Sequence, residues 1–331
     1  MSGSRSASTG GLFDSPPPPA AVEITAHRVN VVAIDQGASP TISGQASELL
    51  PDGLVTPAIN GPNVHDQGAL AAAIRAAVDR LSPRPRRAAL ILPDIVAKVS
   101  MLRFEKVPPK ADDLEQLVRW QIRKAVPFRI DDAQVSWVEG PAPATGGREY
   151  LVLAARRDVV RAYEAACEAA DVHAGIVDIA SLNLVNAVLA TNAASSRGDW
   201  LLVDITPGYA TLLVVRDGQA IFYRNRPADA AGLDMGDLVH QTAMYYEDRL
   251  GGAAFNRVVL AGGSAYGAEA ERIGRQIEER LGTRVEPIDV RGGVTLRDRI
   301  AAGPELLDAL APAVGILLRD RPAVRGGERV A

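Results

Sequence analysis

The first hundred residues switch between two spacings of apolar positions. Two apolar runs, at 21–24 and 28–34, are typical of buried strands, and a third strand is predicted near 40–43. Residues 68–81 have helical spacing instead, and 88–92 form one more short apolar run. The apolar side chains of that helix are Leu70, Ile74, Ala77, Val78 and Leu81. The pattern therefore predicts three strands, a helix and a fourth strand.

The next segment, residues 99–175, is predicted to be a compact α+β insert. Strand candidates at 95–99 and 100–104 precede a helix that Asp112 is expected to cap, with Glu115 three residues later and Pro127 at its end. The predicted buried stripe of this helix consists of Leu114, Leu117, Val118, Gln121 or Ile122, and Ala125. Strands at 134–138 and 150–154, a hairpin loop at 140–147 and a helix at 158–170 complete the insert.

The second half repeats the alternation of strands and helices. A strand leading into a helix is predicted at 176–189, followed by a small polar linker at 193–198. Residues 200–215 form a hairpin pattern interrupted by the polar stretch 204–209. The remaining predicted elements are strands at 220–226, 257–261 and 285–290, and helices at 234–250, after Gly263 as far as Leu281, and at 305–318. This order is typical of an α/β protein.

Composition restricts the functional classes. The chain of 331 residues has 47% apolar and 23% charged residues and a net charge of −4, which indicates a globular protein without a nucleic-acid surface. Cys167 is the only cysteine, so an intramolecular disulfide is excluded. No apolar run approaches the roughly 20 residues of a membrane span, and 1–11 lacks a signal-peptide core, so a cytoplasmic location is expected. Residues 1–20 and 322–331 have the composition of tails.

Two turns carry candidate chemistry. The hairpin turn places Asp204 and Gly208 at the end of a buried strand. About fifty residues later a second strand ends in Gly262 and Gly263, where backbone can approach a ligand that a side chain would exclude. The four histidines are scattered without ligand spacing, so no metal site is predicted, and no Walker loop is present.

The helix sequence L-E-Q-L-V-R-W-Q-I-R-K-A-V-P-F-R-I, residues 114–130, resembles a signature of the PilM family of type IV pilus assembly. With the two turns in their order, the resemblance covers roughly residues 21–320. It implies an actin-like ATPase fold, an α/β fold of two ribonuclease-H-like domains with an inserted α+β subdomain. The implied first domain (1A) is 21–98 with 176–197, the insert (1C, SHS2-like) is 99–175, and the second domain (2A/2B) is 198–321.

The resemblance also implies an ATP site between the two domains. Glu23 and Thr25 would form the first phosphate turn and Asp204, Thr206 and Gly208 the second, with Asp204 as the candidate catalytic carboxylate. The adenosine turn would be Gly262, Gly263 and Ser264. Glu23, Thr25 and Thr206 stand where the family pattern has aspartate and two glycines. A Cβ at a positive φ or against a phosphate costs about 1 kcal/mol or more, so weak binding of ATP with Mg²⁺ and slow or absent turnover are expected.

A PilN-like membrane protein is the implied partner. Its short cytoplasmic peptide would lie in a groove between the insert and the first domain, adding as a strand to an open sheet edge. The implied contact residues are Val99, Met101, Phe104, Leu117, Trp120 and Phe128. The protein would then reach the inner membrane only through its partners. Arg119 is kept as a candidate cation at the rim of this groove, where it would attract acidic residues of the partner. Arg123 is interpreted as a solvated side chain.

Three related functions remain as alternatives. An active sugar-kinase-type enzyme would need a catalytic base and intact phosphate turns, and neither is evident. An FtsA-like filament protein would end in an amphipathic membrane helix, whereas 322–331 is short, charged and contains glycine. The cytoplasmic part of a type II secretion L-protein would be followed by a membrane span.

Overall fold

The structure, a computed structural model, describes residues 18–35, 37, 39–143, 146–191, 198–228, 234–297 and 303–319. The linker predicted at 193–198 and the two predicted tails lie outside these residues, except for 18–20 and Gly198. Fourteen strands in three sheets, together with seven α-helices, are found within these ranges.

The elements of the first half begin close to their predicted positions. Their bounds are β1 Ala20–Ile24, β2 Arg28–Asp35, β3 Thr41–Leu49, α1 Gln67–Val78, β4 Arg87–Leu92, β5 Ala97–Phe104, α2 Ala111–Ile122, β6 Ala133–Glu139, β7 Arg148–Arg156, α3 Arg157–Ala169, β8 His173–Ile179 and α4 Ala180–Thr191. Those of the second half are β9 Trp200–Thr206, β10 Tyr209–Arg216, β11 Gln219–Pro227, α5 Met235–Leu250, β12 Arg257–Ala261, α6 Ala268–Leu281, β13 Val285–Pro287, β14 Thr295–Leu296 and α7 Pro304–Leu318.

Two large sheets face each other across a shared core. The first has the order β14-β3-β2-β1-β4-β8 and the second β11-β10-β9-β12-β13. Helices α4 and α7 pack in the core between them, while α1 and α3 cover the outer face of the first sheet and α5 and α6 that of the second. Because side chains alternate along a strand, every second residue of β1 and β9 points into the space between the sheets.

The insert contains a third, three-stranded sheet of order β5-β7-β6. Helix α2 packs on one face, with Val118 and Ile122 buried. The predicted stripe is therefore too wide, because Gln121 and Ala125 are exposed. The predicted cap is also wrong: α2 begins at Ala111, so Asp112 lies inside the first turn, and no side chain caps the helix at Lys110.

Further corrections concern single elements. The two strand candidates at 95–104 are one strand, β5, preceded by a 3₁₀ turn at Asp94–Val96. Helix α3, predicted within the insert, packs with α1 in the core of the first sheet. The assignment of 198–321 to the second domain also differs from the structure, because β14 pairs with β3 and α7 packs on β1, β2 and β4. Both differences arise from long-range packing that leaves no local signal.

Candidate functional site

A cleft of about 450 Å³ opens between the two large sheets where β1 and β9 end. Its lining contains nearly all of the nucleotide-site residues predicted from the sequence: Glu23, Thr25, Asp204, Thr206, Gly208, Gly262 and Ser264. Gly263 follows directly in the same turn, as the first residue of a 3₁₀ helix. The structure therefore brings three turns, distant in sequence, to one cleft.

Glu23 reaches the cleft through the alternation of β1, which turns Ala21 and Glu23 to the inner face and Val22 and Ile24 to the outer one. The carboxylate is buried and accepts a hydrogen bond of 2.8 Å from Asn30 Nδ2 on β2. Burial raises its pKa to about 7, against the opposing effects of the Asn30 hydrogen bond and the charge of Arg28. Glu23 thus titrates near neutral pH.

Thr25 stabilises the turn between β1 and β2. Its Oγ1 accepts hydrogen bonds from the backbone N–H groups of Arg28 and His27, at 3.1 and 3.3 Å, and donates to the Arg28 carbonyl at 3.1 Å. This turn therefore uses its own donors internally. Thr25 and Thr206 do not have positive φ, so the expectation of backbone strain at these threonines is wrong. Of the two reasons for weak ATP binding at these threonines, only the steric effect of their side chains on a bound phosphate remains.

Asp204 lies on the inner face of β9 and is 4% exposed. Its carboxyl group forms no hydrogen bond with the other described residues. Burial and then the charges of Asp94, Asp308 and Glu23 raise its pKa well above the usual range. The following hairpin turn is Pro207-Gly208, in which Gly208 has φ +98° as a type II turn requires.

The turn at Gly262 requires glycine. Its φ is +77°, and a Cβ there would lie 1.9 Å from the Ile205 carbonyl oxygen. Asp308, on α7, accepts hydrogen bonds from the backbone N–H groups of Gly262 and Ser264, at 2.8 and 2.7 Å. Two backbone N–H groups of the predicted adenosine turn are thus already bonded to the Asp308 carboxylate.

Sequence reasoning missed Asp94 and Asp308. Asp94 follows β4, is fully buried, and accepts a hydrogen bond of 3.0 Å from the backbone N–H of Ser181. Burial raises its pKa to about 6. Each residue is a single carboxylate inside an apolar stretch, L-I-L-P-D-I-V and L-L-D-A-L, and this pattern was the available signal.

Carboxyl groups are prominent among the polar side chains of the cleft. Glu23, Asp204 and Asp308 line it, and only Arg28 brings a permanent positive charge to the lining that the structure describes. A triphosphate needs donors or cations, and the backbone donors of two turns are already bonded within the protein. Within the ranges given above, no three acidic, histidine or cysteine side chains are grouped as metal ligands. The residues present thus fit a triphosphate poorly.

The candidate partner residues do not share one surface. Val99 and Met101 lie on the face of the insert sheet opposite α2, whereas Phe104, Leu117 and Phe128 pack on the α2 side. Phe104 is 8% exposed and its ring lies 5.9 Å from that of Tyr150, so it belongs to the core of the insert and not to a groove mouth. Trp120 is 55% exposed on the outer side of α2.

The two arginines of α2 differ in their contacts. Arg119 donates to Glu115 at 2.8 Å and to the carbonyl oxygens of Ile130 and Ala133, both at 3.3 Å, so it ties α2 to β6. Arg123 lies 5.3 Å above the ring of Trp120. Arg119 is thus a structural residue of the insert.

Comparisons with known proteins agree with this architecture. Residues 21–235 match the sequence model described as type IV pilus assembly protein PilM. Among solved structures, the chain is similar to a PilM-PilN type IV pilus biogenesis complex, with 18% identity, TM-score 0.76, and 91% of this chain and 97% of that chain covered. The ethanolamine utilization protein EutJ from Carboxydothermus hydrogenoformans has 12% identity and TM-score 0.47, with 92% and 90% covered.

No curated protein sequence matches the chain. In the part that the structure describes, no helix has the length and apolar character needed to cross a membrane. The family match covers well over half of the 331 residues and contains the insert, β9 and the Asp204 turn. The chain belongs to the family of type IV pilus assembly protein PilM.

Proposed function

We propose that the protein is a scaffold of type IV pilus assembly that binds the cytoplasmic peptide of a PilN-type protein, which holds it at the inner face of the inner membrane. Family membership supports the process, and the similarity to a PilM-PilN complex supports the kind of partner. The observation that carries the binding site is an apolar stripe on the insert sheet, on the face opposite α2.

This stripe is built from rows of paired residues. Met101 on β5, Leu151 on β7 and Val138 on β6 form one row, and Val99 and Leu153 belong to the next. Val138 is 60% exposed, while Met101 and Leu153 are half-buried beside Ile179 and Leu182 of the first domain. Within the described residues, β5 and β6 each pair only with β7, so both offer backbone groups to an extended peptide.

Val138→Glu is expected to weaken binding of the PilN-type cytoplasmic peptide by roughly tenfold or more, because a charge would be desolvated beneath apolar side chains. Trp120→Glu is the matched control: it places the same charge on a similarly exposed apolar residue on the other side of the insert. Fluorescence anisotropy with a labelled synthetic peptide measures both. Loss of binding in Trp120→Glu alone would move the site to α2.

We also propose that the cleft binds ATP weakly and turns it over slowly or not at all. Arg28 is the single permanent cation among the described residues that line the cleft, and the donors of two turns are bonded to Thr25 and Asp308. When bound, Mg²⁺ would neutralise phosphate charge beside Asp204, the carboxylate with no donor among the residues described around the cleft.

A titration of labelled ATP with Mg²⁺ is expected to give a dissociation constant of about 100 μM or weaker. Asp204→Asn replaces the ionisable carboxyl group at nearly constant size and is expected to change the Mg²⁺ dependence of binding. Exposed Asp248→Asn is the control. Tight binding, near about 1 μM, with rapid phosphate release would contradict this proposal and leave the peptide proposal untouched.

A further inference from the structure

A second surface of unusual composition lies on the outer face of the second sheet. On β11, Phe222 packs against Tyr245 of α5 with ring centroids 5.1 Å apart, and the Arg224 guanidinium lies 5.3 Å from the Phe222 ring centroid. Met244 and Tyr245 are 50% and 42% exposed. Arg226 follows on the same face of β11, two residues after Arg224. We call these five residues the Arg224 surface.

The two arginines of this surface lack acidic partners among the described residues. Arg224 donates a 3.2 Å hydrogen bond to Thr242 Oγ1, and neither it nor Arg226 forms an ion pair within that part of the chain. Partial burial and the neighbouring Arg226 lower the pKa of Arg224. By contrast, Arg216 on β10 pairs with Asp199, and Arg257 on β12 pairs with Glu286 at 2.9 Å. The Arg224 surface therefore carries positive charge that the described residues leave uncompensated, beside exposed apolar groups.

We propose that the Arg224 surface binds a short acidic segment of a partner protein, separately from the PilN-type peptide. One guanidinium nitrogen of Arg224 donates to Thr242, and the remaining N–H groups of a guanidinium stacked on an aromatic ring are available to a carboxylate. Phe222, Tyr245 and Met244 offer contact area for an apolar side chain between two acidic ones. The segment thus alternates carboxylates with an apolar residue.

Acidic residues beside the Arg224 surface favour a short acidic segment over a larger negatively charged partner. Helix α5 exposes Glu247 and Asp248, which lie within one turn of Met244 and Tyr245. These carboxylates oppose the extended negative surface of a membrane or a nucleic acid. A short acidic segment reaches two adjacent arginines without covering the acidic part of α5.

The test uses a fluorescein-labelled peptide of alternating glutamate and leucine with blocked ends, and fluorescence anisotropy at low salt. The Arg224→Gln/Arg226→Gln double variant is expected to bind about tenfold more weakly than the wild type. The control Arg272→Gln/Arg275→Gln removes the same charge from exposed positions of α6 and is expected to bind normally. Thermal unfolding of each variant verifies its fold.

Equal binding by both double variants, or no binding by wild type up to about 1 mM peptide, would overturn the proposal. A second experiment measures binding to vesicles of anionic phosphatidylglycerol. If the wild type binds these vesicles as well as it binds the peptide, and the Arg224→Gln/Arg226→Gln variant loses this binding, the proposal is overturned in favour of a membrane surface. Val138→Glu is expected to bind the glutamate–leucine peptide normally, so failure of this proposal is distinguishable from failure of the PilN-type assignment.

Discussion

Gly315→Ala is expected to lower the free energy of unfolding by about 1–3 kcal/mol. Gly315 lies where α7 crosses α4, and a Cβ there would be 1.8 Å from the Asn183 carbonyl oxygen and 3.1 Å from the Ala187 nitrogen. Both neighbours are backbone atoms, so the methyl group can be accommodated only if the helices separate. Since both helices pack between the two large sheets, the disturbance reaches the shared core.

Urea denaturation of Gly315→Ala measures this effect, with Gly274→Ala as the control. Gly274 lies inside α6 and has nothing within 4 Å of an added Cβ, so alanine is expected to stabilise by about 0.5–1 kcal/mol through helix propensity. A loss below about 1 kcal/mol in Gly315→Ala would show that the α4–α7 contact is not rigid.

Glu23→Gln is expected to stabilise the protein by up to about 3 kcal/mol above pH 7 and to have little effect near pH 4. The folded state retains a proton on Glu23 up to about pH 7, whereas the ordinary pKa is 4.5. The folded state therefore binds more protons between these values, and the free energy of unfolding falls as pH rises through this window. Glutamine cannot titrate but keeps an oxygen to accept the Asn30 hydrogen bond.

The measurement is the free energy of unfolding of wild type and Glu23→Gln at several pH values from 4 to 8, with exposed Glu279→Gln as the control. The difference between wild type and Glu23→Gln should grow with pH through this window. A difference that is constant with pH would show that Glu23 titrates normally and that the cleft is well solvated.

Local sequence pattern was sufficient for most elements. Helical spacing over 68–81 predicted α1. Glycines end two other helices: Gly251 and Gly282 have left-handed φ values of 63° and 66°. The fold class and family were confirmed as well. The predicted elements share a cause: backbone propensity and side-chain periodicity act over a few residues, so a sequence window contains them. The family was recognised instead from the resemblance of residues 114–130 and the two turns.

The candidate site was only partly predictable. The Asp204 and Gly262 turns were recognisable because polar and glycine residues interrupt buried strands there. Asp308 was missed because its role depends on α7 reaching a turn more than forty residues earlier. The predicted partner residues do not share one surface for a related reason: alternation along β5 sends Val99 and Phe104 to opposite faces, and only packing decides which face α2 covers.

The sequence by itself determined most of the secondary structure, the family and the three turns that meet in the cleft. The tertiary structure decided how charge is distributed there, because a pKa depends on burial and on neighbours from distant segments. It places Glu23, Asp94, Asp204 and Asp308 close enough for their charges to interact, and gives Asp204 no donor among the described residues. It also gathers Phe222, Arg224 and Tyr245 from a strand and a helix into one exposed surface. Such effects arise through space, and no spacing along the chain encodes them.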